Sequence, residues 1–414
     1  MTAEAPRICC LDLDTFFVSV ERLLDPSLLG KPVIVGGQPG TRGVVTACSY
    51  EVRALGVRSG MSLTEAAKLA PHAIYLSGRD REYGKYSEQV VAIAQRYSPL
   101  VRMASIDELY MDFRGCERLF QRPGDHDADA TILRVVHALT DCIAAEVGLP
   151  ASAGIATSKS VAKIACGLAK PRGVLLVRAG QEAHTLAPLP VRKLPGIGPV
   201  TEQRIVALGI TTLGELATSP VRVLERAFGP HAASMRARAL GHGDAELSRD
   251  RPAFHEHDME GESLGSISNE RTFHEDVREL RVVESMLCAL CERVCWRARR
   301  RGVEARTITL KLRYADFDTI TRSRTVTPSA SERELLPLLK RLYRDARQRS
   351  LAIRLLGVAL SNLVLAEQLP LFPRDGQVRA NVDELRERYG FDAVRLGTGL
   401  RVPRDDDEEG DPAG

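Results

Sequence analysis

Two pairs of carboxylates stand in this chain where acids are costly to keep. Asp12 and Asp14 fall in the apolar stretch Cys9–Phe17, and Asp107 and Glu108 interrupt the apolar stretch Met103–Phe113. Strand side chains alternate between faces, so Asp12 and Asp14 are expected on one face. Burying carboxylates is unfavourable unless a cation or strong donors compensate, and neither stretch holds a Lys or Arg. A hard divalent cation is a natural partner, and magnesium prefers oxygen ligands in near-octahedral geometry. Two such ions ~4 Å apart clamp the attacking and leaving oxygens of an in-line phosphoryl transfer. Either pair alone reads more readily as a hairpin or helix cap. The two together favour four acids converging on a metal-assisted site.

The elements that must position these acids read as follows. Ile8–Asp14 is a strand and Phe16–Leu24 a helix. Pro32–Gly43 is a strand with a Gly/Pro turn, Val44–Ala47 a strand, and Ser62–Leu69 a helix with Ser62 and Glu65 spaced as a capping box. Tyr86–Tyr97 and Ala130–Glu146 have helical spacing. Between them, Val101–Ile106 and Leu109–Phe113 form a hairpin with Asp107 and Glu108 at its crest. Ala151–Ala156 is a strand leading into the helix Lys159–Ala169. This alternation describes a mixed sheet domain. Leu186–Leu240 turns helical, and Gly241–Glu262 reads as a linker. From Ser263 to Ala366 strands (Thr307–Arg313, Leu355–Leu365) alternate with helices (Glu275–Arg301, Glu332–Gln348). The fold class is α+β. After Pro373 the chain is charged and poor in apolar residues. Asn381–Tyr389 reads as a short helix, and the acidic run Asp405–Glu409 has the composition of a disordered segment.

Charge is unevenly spread. Residues 263–366 carry 20 Lys and Arg against 12 Asp and Glu, a balance of +8, leaving −5 for the rest of a chain whose net charge is +3. A basic module on a slightly acidic body suits a nucleic-acid grip, although an Arg-rich solvated helix face (Arg297, Arg299, Arg300, Arg301) explains the balance equally well. No apolar run reaches the ~20 residues that a membrane helix needs, and the N-terminus lacks the pattern of a signal peptide. The expectation is a cytoplasmic protein with no membrane contact and nine reduced cysteines.

CCLDLDTFFVSVE resembles the first motif of the Y-family translesion DNA polymerases, and SIDELYMDF resembles their second metal-ligand motif. The likeness to the DinB (polymerase IV) branch runs to about Phe372. It implies a right-hand polymerase with a ferredoxin-like palm (1–15 and 79–177), small fingers (16–78) and a helical thumb (178–244). A linker (245–262), an α+β little finger (263–366) and a tail (367–414) complete it. It further implies template-directed synthesis of low fidelity with two magnesium ions. Asp12, Asp107 and Glu108 fall on the family's metal-binding carboxylates, and the Leu13 carbonyl takes the place of its main-chain ligand. Phe17 matches a ring that packs under the incoming sugar and excludes a 2′-hydroxyl. Tyr50, Arg53 and Lys170 match triphosphate contacts.

The implied partners are a deoxynucleoside triphosphate (dNTP), primer–template DNA and a sliding clamp, bound by a monomer. Gly196 and Gly198 in LPGIG resemble the turn of a helix-hairpin-helix, whose backbone N–H groups can face a phosphate. SISNERTF is similar to the strand that opens the little finger. Arg271, Lys311, Arg313, Arg322 and Arg324 are its candidate phosphate contacts. Gln368, Leu369, Pro370, Leu371 and Phe372 look like the clamp-binding pentapeptide of bacterial replication proteins. Leu109, Met111 and Thr15 depart from the usual residues, and bulk at Leu109 beside the acids could shift their hairpin.

Cys288, Cys291 and Cys295 follow one helical stripe, which suits core thiols better than a tetrahedral zinc site. Two rivals to the polymerase reading fare worse. An accessory relative would have lost the acids present here, and a nucleotidyl cyclase has no use for the hairpin motif, basic domain and clamp peptide.

Overall fold

The computed structural model describes residues 5–247, 265–366 and 376–397. The chain divides into two compact units, Met1–Phe254 and His255–Gly414. The clamp-like peptide 368–372, the acidic run 405–409 and most of the expected linker lie outside the described residues.

Unit 1 opens with β1 (Ile8–Leu13), α1 (Phe16–Leu24), β2 (Val33–Val35), β3 (Ala47–Cys48), α2 (Tyr50–Arg53), α3 (Leu63–Leu69) and β4 (Ile74–Leu76). It continues through α4 (Asp80–Ala94), β5 (Val101–Met103), β6 (Glu108–Asp112), α5 (Glu117–Phe120), α6 (Ala128–Glu146), β7 (Ala151–Ala156), α7 (Lys159–Ala169) and β8 (Val174–Leu176). A helical run follows: α8 (Glu182–Leu186), α9 (Pro199–Val206), α10 (Leu213–Thr218), α11 (Val221–Phe228) and α12 (His231–Ala239). The main sheet has the order β5-β6-β1-β7-β8, and a small sheet has the order β3-β2-β4.

Alternation in β1 sends Cys9, Leu11 and Leu13 into a core with α4 and α6. Ile8 and Cys10 face the opposite core, shared with α7 and the helical run. The even-numbered face of β1 is therefore the face of α7, and Asp12 continues it. At Gly154 on β7, an added Cβ would lie 2.1 Å from the Cys166 nitrogen and 2.2 Å from the Ala162 oxygen. Helix and sheet meet there backbone to backbone, which only glycine permits.

Several boundaries differ from the sequence expectation. The Val44–Ala47 strand reduces to Ala47–Cys48, with Val44 in an isolated bridge to Ser62. The helix expected from Tyr86 begins at Asp80, where Asp80 and Glu82 favour the positive N-terminal end of the helix dipole. Ser62 caps α3 by accepting the Glu65 N–H at 3.2 Å.

Unit 2 contains β9 (Ser266–Val277), α13 (Leu280–Arg300), β10 (Val303–Tyr314), β11 (Thr319–Ser329), α14 (Glu332–Ala346), β12 (Ile353–Leu365) and α15 (Gly376–Tyr389). Its sheet order is β11-β10-β12-β9, and its core lies between the sheet and α13 and α14. Residues 275–277, expected as helix, belong to β9, because Val277 pairs with Ile353. Cys288, Cys291 and Cys295 are wholly buried free thiols.

The stretch after Pro373 contains more structure than its composition suggested. Arg386 of α15 is buried and pairs with buried Glu292 of α13 at 2.6 Å. The Leu396 N–H donates to the same carboxylate at 3.0 Å, and Phe391 packs on Trp296 with ring centroids 5.2 Å apart. Burial raises the Glu292 carboxyl despite these donors.

Removing one partner of a buried ion pair leaves the other charge uncompensated. Arg386→Ala is expected to destabilise unit 2 by about 3–5 kcal/mol, read by denaturant unfolding. Gly154→Ala is expected to cost about 1–3 kcal/mol as α7 is pushed off the sheet, and an unchanged unfolding midpoint would contradict that packing.

Candidate active site

β1 pairs antiparallel with β6, and this register sets Asp12 directly opposite Glu108. The Leu13 N–H donates to the Asp107 carbonyl at 2.9 Å, tying the next step of the strand to the hairpin crest. Cross-strand partners project to the same face, so Asp12 and Glu108 meet on the side of α7. Acids 96 positions apart in the chain are thus brought together by one strand pair.

The acids are not without bases. Lys170, just past the end of α7, touches Asp12, and Lys163 within that helix touches Glu108. Asp107 accepts the Ser105 hydroxyl at 2.5 Å. Burial raises the Asp12 carboxyl; Lys170 pulls it down, Asp107 and Glu108 push it up, and the net shift is upward. Burial lowers the Lys163 and Lys170 ammoniums, but Glu108 and Asp12 respectively outweigh it and both end raised. Among the described residues, no three His, Cys, Asp or Glu side chains stand ready as a metal cage; the two ammonium groups hold Asp12 and Glu108 instead. The donor chemistry nevertheless fits a hard divalent cation: closely set carboxylates whose present partners are flexible, mobile-headed lysines.

A cleft of about 110 Å³ opens beside the acids. Asp12, Leu13, Thr15, Phe17, Arg53, Asp107 and Lys170 line it, together with Thr46 and Ser59, which the sequence did not single out. Phe17 stacks on Tyr83 with centroids 4.3 Å apart and planes 17° from parallel. Tyr83 donates its hydroxyl to buried Glu21 at 2.7 Å, and burial with Glu21 raises the Tyr83 phenol. Arg53 lies over the Tyr50 ring, 5.3 Å from its centroid.

Asp14 departs from expectation. It lies one residue beyond β1 and still on the side of Asp12, since Lys170 stands near both and Ser152, the cross-strand partner of Asp12, reaches it. Its carboxylate is 1% exposed and does not line the cleft. It accepts the Ser152 hydroxyl and the Arg172 N–H, each at 2.8 Å, and the Tyr50 hydroxyl at 3.3 Å. Asp14 is therefore set apart from Asp12 and Asp107, which line the cleft, and from Glu108, which faces Asp12 across the strand pair. Leu109 also behaves differently: it is buried in the core opposite the acids, paired with Leu11, so its bulk does not press on the carboxylate face. Thr15 adopts a left-handed φ of 47° at the start of α1.

Gly196 takes φ +88° in the turn before α9, and Gly198 stands immediately before that helix. Arg238 donates to the Pro195 carbonyl at 2.9 Å and fixes the turn. In unit 2 the five candidate cations do not share one face. Lys311 and Arg313 lie on the face opposite the core, with Lys311 bonded to Glu270 at 2.7 Å. Arg271, Arg322 and Arg324 are in register with buried Leu356, Leu310 and Ile308, on the helix side.

Comparison with known proteins agrees with this architecture. Residues 11–167 match the impB/mucB/samB family, 265–371 its C-terminal domain, and 181–210 the IMS family HHH motif. DNA polymerase IV of Dehalococcoides mccartyi strain CBDB1 is 39% identical over 405 residues, spanning 96% of this chain and 98% of that one. The chain belongs to the impB/mucB/samB family, in the DNA polymerase IV (DinB-type) branch of the Y family. A second relative, DNA polymerase IV of Streptomyces coelicolor, is 38% identical over 91% of this chain and 75% of its own length. Among solved structures, a Y-family DNA polymerase chimera of Dbh and Dpo4 has a TM-score of 0.74 at 24% identity, covering 87% of this chain and 99% of that chain. The insertion ternary complex of Dbh DNA polymerase has a TM-score of 0.58 over 87% of this chain and 100% of that one. The fold is the α+β fold of Y-family polymerases, and the enzyme class is DNA-directed DNA polymerase. No helix among the described residues is long and apolar enough to cross a membrane.

Family membership leaves the supporting residues to the structure. Lys163 showed in the sequence only as a lysine within the helix that ends just before Lys170. Tyr83, Glu21 and Ser152 carried no signal, since each acts through a partner far away in the chain. Tyr83→Phe keeps the ring under Phe17 but leaves a Glu21 oxygen short of a donor. Its expected cost is about 1–3 kcal/mol, measured as a lowered unfolding free energy, whereas unchanged stability would show that the Glu21 bond is idle.

Proposed function

We propose that this member of the polymerase IV family copies DNA past damage with low fidelity, using two magnesium ions held by Asp12, Asp107, Glu108 and the Leu13 carbonyl. The observation that carries this reading is the register that sets Asp12 opposite Glu108 while the Leu13 N–H binds the Asp107 carbonyl. Family membership supports translesion synthesis and low fidelity, and the donor set supports magnesium. The reaction joins the primer 3′-oxygen to the α-phosphorus of a dNTP as the bond to pyrophosphate breaks. Magnesium, when bound, supplies charge stabilisation at the attacking and leaving oxygens.

The protein's own part is positioning. Lys170 and Arg53 face the cleft as triphosphate-binding cations, and Tyr50 is held beside Arg53. Arg offers a planar fork of donors suited to phosphate oxygens. Lys170 and Lys163 balance the carboxylates until nucleotide and metal arrive. Phe17, backed by Tyr83, acts as the ring that excludes a ribose 2′-hydroxyl.

In the proposed division of labour, palm, fingers and thumb lie in unit 1 and the little finger in unit 2. Primer–template DNA is gripped by the turn at Gly196 and Gly198 and by the cations Arg271, Lys311, Arg313, Arg322 and Arg324. Their placement on two faces favours Lys311 and Arg313 for the open side of the sheet. Gln368, Leu369, Leu371 and Phe372 form the proposed clamp contact.

Asp107→Ala is expected to lower extension of a primed template in magnesium by at least about 100-fold while fluorescence anisotropy shows DNA affinity retained. Equal extension by both proteins would overturn the site. Phe17→Ala is expected to admit ribonucleotides, scored as extension with ribonucleoside triphosphates alone.

A further inference from the structure

Asp14 is a buried acid outside the cleft, yet it touches both arms that reach into it. Its Oδ1 accepts the Tyr50 hydroxyl at 3.3 Å, at the start of the short helix that carries Arg53. Its Oδ2 accepts the Arg172 N–H at 2.8 Å, two residues past Lys170, and the Ser152 hydroxyl at 2.8 Å. The Lys170 ammonium stands 3.9 Å from Oδ1. The residue itself is fixed from both sides, because its N–H donates to the Pro150 carbonyl at 2.8 Å and its carbonyl accepts the Ser19 hydroxyl at 2.7 Å.

We propose that Asp14 is a positioning residue, not a metal ligand, which sets the separation of the two triphosphate-binding arms, Tyr50–Arg53 and Lys170, before a nucleotide arrives. This rests on the triphosphate roles assigned above.

Three physical features support it. A carboxylate has about four acceptor sites, and three donors from three separate segments already occupy it. Arg172 holds a left-handed φ of 54°, a conformation that non-glycine residues keep only when their surroundings enforce it, and the bond to Asp14 supplies such enforcement. Arg53 packs on the Tyr50 ring, so an anchored phenol also orients the guanidinium. Arms set in advance lose less freedom when the triphosphate binds, so the benefit falls on nucleotide affinity.

The test uses the full chain on a primed template. Asparagine keeps the shape of Asp14 but offers one acceptor oxygen in place of two. Asp14→Asn is expected to raise KM for the incoming dNTP about ten-fold with kcat held within about three-fold. DNA affinity and the magnesium concentration giving half-maximal rate at saturating dNTP are expected to stay unchanged. Adding Tyr50→Phe to Asp14→Asn is expected to raise KM less than the two single effects combined, because both remove the same bond.

A collapse of kcat with a shifted magnesium requirement would make Asp14 a ligand and overturn the proposal. An unchanged KM would also overturn it. If Asp14→Asn does not fold, Ser152→Ala removes one donor and leaves the carboxylate: a raised KM with kcat kept supports the proposal, and an unchanged KM counts against it. Lys170→Ala separates the layers, since an unchanged KM there refutes the triphosphate reading itself, whatever Asp14 does.

Discussion

The pairing of β1 with β6 is the constraint on which the rest of the site depends. Alternation along β1 sends Leu11 and Leu13 into one core and leaves Asp12 on the opposite face. The register against β6 then chooses its neighbour. A slip of one residue would turn Asp12 into the apolar core and the Leu13 side chain onto the face of α7, because side-chain period in a strand is two. The core residues therefore hold the acids in place: the burial of Leu11, Leu109 and Met111 keeps Asp12 and Glu108 opposed. Structural and catalytic demands on these strands are met by alternate residues.

Helix α7 provides the second half of the arrangement. It lies against β7 at Gly154 with no space for a Cβ, and at that distance its lysines reach the acids. The result is a cluster at the end of the sheet in which Asp12 and Glu108 each have an ammonium partner. Such a cluster avoids the heavy desolvation penalty of unpaired acids, and its long, flexible lysine side chains can release the carboxylates without moving backbone. Phe17 is supported by a different chain of contacts, through Tyr83 to Glu21, so the Phe17 ring and the acids are held by separate networks.

Unit 2 follows the same logic of one face for packing and one for solvent. Its sheet buries Ile308, Leu310, Leu356 and Val358 against two helices and turns Lys311 and Arg313 to the other side. Helix α15 adds a buried ion pair, Arg386 with Glu292, to the outer flank of α13. That pairing explains how a charged segment of low hydrophobicity can still dock: its specificity comes from paired charges and one aromatic contact rather than from apolar area.

Much of this was open to reading in the chain itself. β1 and β7 are legible as short runs of apolar and small residues, and α1 and α7 by their helical spacing. The metal-type acids and their motif spacing are local patterns, as are Phe17, Arg53 and Lys170. What local pattern cannot carry is partnership. Asp12 and Asp14 look equivalent two residues apart, yet one lines the cleft and the other is enclosed by Ser152, Arg172 and Tyr50. Likewise, five arginines and lysines of one basic module divide between two faces of a sheet once strand register is set. The amino-acid order alone determined which residues could perform phosphoryl-transfer chemistry and which elements would carry them. Tertiary structure alone decided which acid meets which lysine, because such contacts depend on register and helix approach across dozens of intervening residues.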